Sequence, residues 1–264
     1  MKNKCFKIIN LLIVFILVMA MAVGCSNETT TTQNNTSTNE NTEVASQNDT
    51  SANENAKVAE IKTMTGEELV KQNSGKEKDK VLIIDVRSPE EYKAGHIPNA
   101  ININIDEFEQ RLSEIEDLKD FPIITYCNSG KKSGQAAEIL VNNGFKNVTN
   151  AAGVKQFEYD LVHYTDLRGA AFEKFITENS DIVLVDVREE SQVKEEGMIE
   201  GAINVPYNAV EANLDKLPKD KTIALYCNTG TKSAEVAKQL EALGYENIVN
   251  SIEGVKEYNF TLVK

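Results

Sequence analysis

The sequence of 264 residues has no tryptophan and only two histidines, His96 and His163. Its four cysteines include no C-x-x-C pair, and the histidines no H-x-x-x-H spacing. A structural zinc site needs such ligands at close spacing, so no metal is expected. Basic charge is scarce as well: 28 Lys and Arg stand against 41 Asp and Glu, for a net charge of −13. Lys2, Lys4 and Lys7 have no acidic neighbour in the first 24 residues, and losing that segment would take the charge to −16. A nucleic-acid partner is therefore excluded, because phosphate contacts need a basic footprint. Mean hydropathy is negative, which rules out a multi-span membrane protein. The 41% of apolar residues still suffices for a core. The length suits one large domain or two small ones, since domains commonly run to roughly 100–150 residues.

The longest apolar run is Leu11–Val23, 13 residues that follow the three lysines. It has the size of a signal-peptide core and is too short to span ~30 Å of hydrocarbon comfortably. It closes on Ala22, Val23, Gly24 and Cys25, which resembles the bacterial lipobox with alanine at the usual leucine position. The resemblance implies that residues 1–24 are a lipoprotein signal peptide and that Cys25 is the lipid attachment. The protein would then sit on the extracytoplasmic face of a bacterial cell membrane. The plainer alternative is an uncleaved anchor helix, which also leaves the body outside the cytoplasm. From Ser26 to Lys57, Asn and Thr supply 16 of 32 residues, and Val44 is the one large aliphatic. Such a segment buries too little to offset its ordering entropy, and residues 25–59 are expected to be a disordered tether.

The remainder repeats itself. Residues 126–150 match residues 226–250 at 11 of 25 positions, and the relation extends upstream from VLIIDVRSPEEY to IVLVDVREESQV and from GHIPNAINI to GMIEGAINV. Two copies are expected, over 60–160 and 165–264, with a junction near His163–Asp166 too short for a long free linker. In the first copy, β-rich runs at 81–86, 101–104, 122–126 and 147–149 alternate with helix-like stretches around 65–72, 88–94, 107–117 and 133–143. The second copy has strand runs at 182–187, 202–205, 222–226 and 247–249. Runs such as Val81–Ile84 and Ile182–Val185 are continuously apolar, as strands covered on both faces are. Each copy is thus expected to be α/β, a parallel sheet with helices on both faces.

Cys127 and Cys227 each follow a buried-strand pattern and precede an amphipathic helix expected near Ser133 or Ser233. The C-terminal edge of an open α/β sheet is where ligands bind. The loops Asn128–Lys132 and Asn228–Lys232 contain a glycine and lead into a helix N-terminus, so successive backbone N–H groups can cradle an anion. That environment, with its lysines, favours thiolate over thiol and makes the sulfur nucleophilic near neutrality. A buried structural cysteine is the bland alternative, less apt for two cysteines in one loop context. A disulfide between them would need corresponding loops of two domains to meet within a few ångströms, which is not expected.

With these loops in view, each copy resembles a rhodanese domain. The family's loop of Cys, two residues, Gly, one residue, Arg, then Ser or Ala is matched by CNSGKKS at 127–133 and CNTGTKS at 227–233, with lysine at the arginine position. The DVR at 85–87 and 186–188 and the GHIPNA at 95–100 resemble two further family motifs. The resemblance implies a sulfurtransferase, with Cys127 and Cys227 as persulfide-forming nucleophiles. Substrate contacts would come from Asn128, Ser129, Gly130, Lys131, Lys132 and Ser133, and from Asn228, Thr229, Gly230, Thr231, Lys232 and Ser233. Its partners would be a small anionic sulfur donor and a thiol or cyanide acceptor, with no cofactor. Lys132 and Lys232 keep the charge of the arginine and lose its bidentate fork, which bears on donor specificity. The second copy departs further, with Met198 and Glu200 where the first has His96 and Pro98, so Cys127 is favoured if one copy alone works. A non-enzymatic sulfur carrier or binding module is the main alternative. A cysteine phosphatase or arsenate reductase, which carries arginine six positions after the cysteine, is disfavoured because Ser133 and Ser233 stand there. His96 is expected to be a turn residue with a satisfied side chain, His163 to have no partner, and Asp85–Arg87 and Asp186–Arg188 to form structural ion pairs rather than substrate contacts.

Overall fold

The computed structural model describes residues 60–264. The expected signal peptide, the lipobox with Cys25, and the tether lie outside the described residues.

The first half of the described chain runs β1 (Lys62–Met64), α1 (Gly66–Gln72), β2 (Leu82–Asp85), α2 (Pro89–Lys93), β3 (Ala100–Asn102), β4 (Ile123–Tyr126), α3 (Lys131–Asn142) and β5 (Val148–Ala151). The second runs β6 (Thr165–Leu167), α4 (Gly169–Glu178), β7 (Ile182–Asp186), α5 (Glu190–Glu196), β8 (Met198–Ile199), β9 (Ile203–Asn204), β10 (Thr222–Tyr226), α6 (Thr231–Ala242), β11 (Ile248–Ser251) and β12 (Leu262–Val263). Two five-stranded sheets result, ordered β1-β5-β4-β2-β3 and β6-β11-β10-β7-β9, with every pairing parallel. Each cysteine follows the central strand of its sheet, β4 or β10.

The continuously apolar strands are buried on both sides, and alternate residues serve opposite faces. Leu82 and Ile84 join Ile123 and the α3 residues Ala136, Ala137 and Leu140 in one core cluster. Ile83, Ile124 and Tyr126 pack with Leu69 of α1 in the other. The second sheet repeats this division, with Val185, Ile223 and Leu225 against α6 and Leu184, Ala224 and Tyr226 against Phe172 of α4. Each fully buried Leu or Ile contributes about 1.5–3 kcal/mol by leaving water. Leu140 has no exposed surface, and Leu140→Ala is expected to cost roughly 2–5 kcal/mol, read as a lowered urea midpoint at unchanged slope.

The sequence reading and the structure differ in several places. The stretch expected as a helix at 107–117 forms 3-10 segments, Ile105–Glu107 and Glu109–Leu118. Ile105 to Phe108 and Leu112 to Ile115 to Leu118 recur at intervals of three, the 3-10 period, and all five side chains pack on the first core. Helices α3 and α6 start two residues earlier than expected, at Lys131 and Thr231. The edge strands β1 and β6 carry no strand signal in the sequence, since KTM and TDL are short and partly polar. The GMIE turn of the second half pairs with the chain end as the antiparallel ribbon β8–β12, where the first half makes a single bridge, His96 to Val162.

The two halves meet along β3 and β6. The Asn99 N–H donates to Asp166 Oδ2 at 2.7 Å, and the Asp166 N–H donates to the Tyr92 hydroxyl at 3.0 Å. Arg168 joins Asp117 of the first half to Glu253 of the second, each at 2.9 Å. His163, expected to lack a partner, finds one in Glu241: its N–H donates to Oε1 at 2.6 Å, with Nδ1 3.7 Å away.

Candidate active site

Cys127 and Cys227 end their strands as free thiols, 2% and 3% exposed. Each loop turns through a glycine in the left-handed region, Gly130 at φ 79° and Gly230 at φ 71°, where a side chain is strained. Neither α3 nor α6 has a side-chain N-cap, so their first N–H groups stay available to the sulfur. A second loop backs each cysteine loop. Val154 and Lys155 donate their N–H groups to the carbonyls of Cys127 and Asn128, both at 3.0 Å, and Val255 and Lys256 repeat this at Cys227 and Asn228. Gly153 and Gly254 permit the approach, since a Cβ there would lie 2.4 Å and 2.1 Å from the carbonyl carbons of Asn128 and Asn228.

The Ser133 hydroxyl lies 3.4 Å from Cys127 Sγ, and Ser233 lies 3.5 Å from Cys227 Sγ. Burial works against the Cys127 anion, but the Ser133 hydroxyl and the N–H groups of Ser133, Ser129 and Lys132 outweigh it and hold the thiol below its ordinary range. The groups that lower this thiol are thus a hydroxyl and the backbone, rather than the lysine side chains expected from the sequence to share in it. Lys232 leans on Glu235 at 2.8 Å and stands 4.5 Å over the Tyr207 ring. Removing the hydroxyl weakens the thiolate, so Ser133→Ala is expected to raise the pH midpoint of Cys127 alkylation by roughly one unit. A pH series of iodoacetamide labelling measures this.

Several residues around the loops were missed by the sequence reading. Asn150 of β5 places Oδ1 2.7 Å from the Ser133 hydroxyl, whose single proton is shared between Asn150 and the Cys127 sulfur and turns to the sulfur when it ionises, and donates from Nδ2 to the Gly130 carbonyl at 3.0 Å. The signal was present, since Asn150 and Asn250 close the matched block of the repeat. Glu91 of α2 accepts Asn128 Nδ2 on Oε1 at 2.7 Å and the Ser88 N–H on Oε2, so one carboxylate caps the helix and touches the loop. The Asn128 hydrogen bond is the main reason its pKa is lowered. At the second site the partner is neutral: Gln192 exchanges two hydrogen bonds with Asn228, at 3.0 and 3.1 Å.

Arg87 and Arg188 turn inward. Arg87 makes a bidentate pair with Asp85 and donates to the Gly95 carbonyl at 2.8 Å, while Arg188 repeats this with Asp186 and Gly197. His96 is buried, stacked on Tyr92 at 3.7 Å, with Nδ1 3.1 Å from the Tyr92 carbonyl. Its Nε2 has no hydrogen-bond partner and faces Asp166 at 3.9 Å, so the side chain is only half satisfied. Among the described residues no cluster of three or more His, Cys, Asp or Glu is placed to hold a metal ion. A cleft of about 890 Å³ borders the first loop, lined by Ser129, Gly130 and Lys131 with Thr65, Glu68 and Gln156.

A thiol at the end of the central strand of a parallel sheet, set under unspent N–H groups and duplicated, defines a class of cysteine-centred α/β proteins. The model of the rhodanese-like domain matches residues 67–156 and 170–260. The chain belongs to that family and carries two of its domains. Thiosulfate sulfurtransferase PspE of Escherichia coli (strain K12) is 44% identical over 72 residues, which are 27% of this chain and 69% of that protein. The tRNA uridine(34) hydroxylase of Cytophaga hutchinsonii is 33% identical over 81 residues, 30% of this chain and 26% of that protein. A solved rhodanese with anions from E. coli is 40% identical and covers 31% of this chain and 96% of its own, at a TM-score of 0.29.

Proposed function

We propose that the protein is a sulfurtransferase that moves sulfane sulfur from an anionic donor, such as thiosulfate or polysulfide, to a thiol or cyanide. The observation that carries this is the Cys127 thiol, held low by the Ser133 hydroxyl and by the N–H groups of Ser129, Lys132 and Ser133. The thiolate attacks the outer sulfur of thiosulfate, whose S–S bond breaks with its electron pair leaving on sulfite, and a Cys127 persulfide anion forms. The acceptor then attacks the outer persulfide sulfur, and the pair returns to Cys127 as thiolate. The same N–H groups meet the anionic donor, the thiolate and the persulfide in turn. Cys227 sits in the same kind of loop and is assigned the same chemistry. The activity named for the E. coli relative supports thiosulfate as donor. Attachment of lipid at Cys25, holding the domains outside the cytoplasm, is part of the proposal, as is the absence of a nucleic-acid partner at a net charge of −13.

Intact mass of the full chain after incubation with thiosulfate tests the reading. A gain of about 32 Da per loaded cysteine, lost on adding cyanide or thiol, is expected. Loading without repeated turnover would favour the carrier alternative, and no adduct with either thiosulfate or polysulfide would overturn the proposal.

A further inference from the structure

The two cysteine loops are alike in length and place, yet different residues hold them. In the first, Asn150 stands opposite Thr63 in the sheet register and is free to reach Gly130 and Ser133. In the second, Asn250 stands opposite Asp166 of β6, whose Oδ1 takes Asn250 Nδ2 at 2.7 Å. Asp166 is pinned from the first domain by Asn99 and Tyr92. Asn250 is thereby withdrawn from its loop, and its buried Oδ1 is left with no partner. The Gly230 carbonyl takes the Ser233 hydroxyl instead, at 3.1 Å.

A residue of the first domain reaches this loop at another carbonyl. Lys78, in the 3-10 turn Lys78–Lys80 before β2, donates from Nζ to the Thr229 carbonyl at 2.9 Å. Its side chain is 9% exposed and paired with Asp79 at 2.5 Å, so the ammonium is fixed. The backing loop is docked on the same domain: Ile252 packs against the first domain's core and Arg168 holds Glu253 to Asp117. Gly230 in turn lies against Ile252, since a Cβ there would stand 2.2 Å from the Ile252 carbonyl oxygen. In a trans peptide the C=O and the following N–H point in opposite directions. Fixing the Thr229 carbonyl toward Lys78 therefore fixes the plane of the Thr229–Gly230 peptide, midway along the loop that follows Cys227. A charge-assisted hydrogen bond is roughly twice as strong as a neutral one, which suits Lys78 for this task.

We propose that Lys78 is a positioning residue for the Cys227 loop, supplied by the first domain in place of the contact that Asn250 gives up to Asp166. The reactivity of Cys227 then depends on the docking of the two domains, whereas that of Cys127 depends on its own Asn150. The inference rests on Cys227 being a working thiol, and its test uses no sulfur donor, so a failure of sulfur transfer and a failure of this proposal are distinguishable.

The test is the rate of iodoacetamide labelling of the full chain at fixed neutral pH, read by mass at the Cys127 and Cys227 peptides of the same digest. Lys78→Met is expected to slow labelling at Cys227 by roughly fivefold, the scale of one lost hydrogen bond, and leave Cys127 unchanged. Lys78→Arg, which keeps a donor, restores the Cys227 rate, and Asn150→Ala slows Cys127 alone. An unchanged Cys227 rate in Lys78→Met, or equal slowing at both cysteines, would overturn the proposal.

Discussion

Replacing Cys127 with serine is expected to remove most of the thiosulfate-to-cyanide turnover of the full chain, and replacing Cys127 and Cys227 together to remove all of it. The fall in the double variant should reach at least roughly a thousandfold, the scale on which losing a covalent nucleophile acts. The geometry says why serine cannot substitute. The cradle at Cys127 is a set of N–H groups and one hydroxyl that lowers a thiol, and a serine hydroxyl starts far too high for such groups to ionise it near neutrality. Nor does either loop provide a histidine base: His96 is buried between Tyr92 and Asp166, and His163 pairs with Glu241 in the junction. Cys127 is expected to carry the larger share because its loop is braced within its own domain by Asn150, Ser133 and Glu91. Steady-state assays of the two single variants beside the double variant measure the split. Equal turnover in Cys127→Ser and the parent would move the chemistry to Cys227.

Much of this site was readable in the sequence because it is built from local features. A continuous apolar run such as Val81–Ile84 has few places to go except between two layers of helices, and Ile83 and Ile84 do go to opposite faces. A cysteine between such a strand and an amphipathic helix must lie at the sheet's C-terminal edge. The repeat doubled every such signal. What was not readable depends on pairing between distant segments. Glu91 in an acidic first turn looks like a solvated helix face, and only the fold brings it to Asn128. Asn150 and Asn250 are identical in sequence, and their different roles follow from the opposite strand, Thr63 in one sheet and Asp166 in the other. Lys78 is one of 28 basic residues, with nothing local to mark it as the one that reaches Thr229.

The DVR motif yields the largest expected effect on stability. Asp85 is 0% and Arg87 5% exposed, and the guanidinium donates to both carboxylate oxygens at 2.6 to 3.0 Å. Removing one partner strands the other as a buried charge, so Asp85→Ala is expected to cost roughly 3–5 kcal/mol, seen as a lowered urea midpoint. Replacing the pair with apolar residues of similar volume avoids that penalty, and Asp85→Leu with Arg87→Met should recover much of the loss. The position makes the pair relevant to the thiol. Asp85 is the register partner of Tyr126, the residue before Cys127, and the Val86 N–H donates to the Tyr126 carbonyl at 3.1 Å. The Arg87 guanidinium also stands 5.8 Å from the Tyr126 ring. Asp85→Ala should therefore loosen the strand end and slow persulfide formation at Cys127. The apolar double variant separates the two roles open to this arginine. If Arg87 only braces the strand end, the double variant regains its donor KM along with its stability. If Arg87 turns outward to hold the anionic donor during transfer, stability returns while KM stays raised. The inward bidentate geometry and the further bond to the Gly95 carbonyl predict the first result.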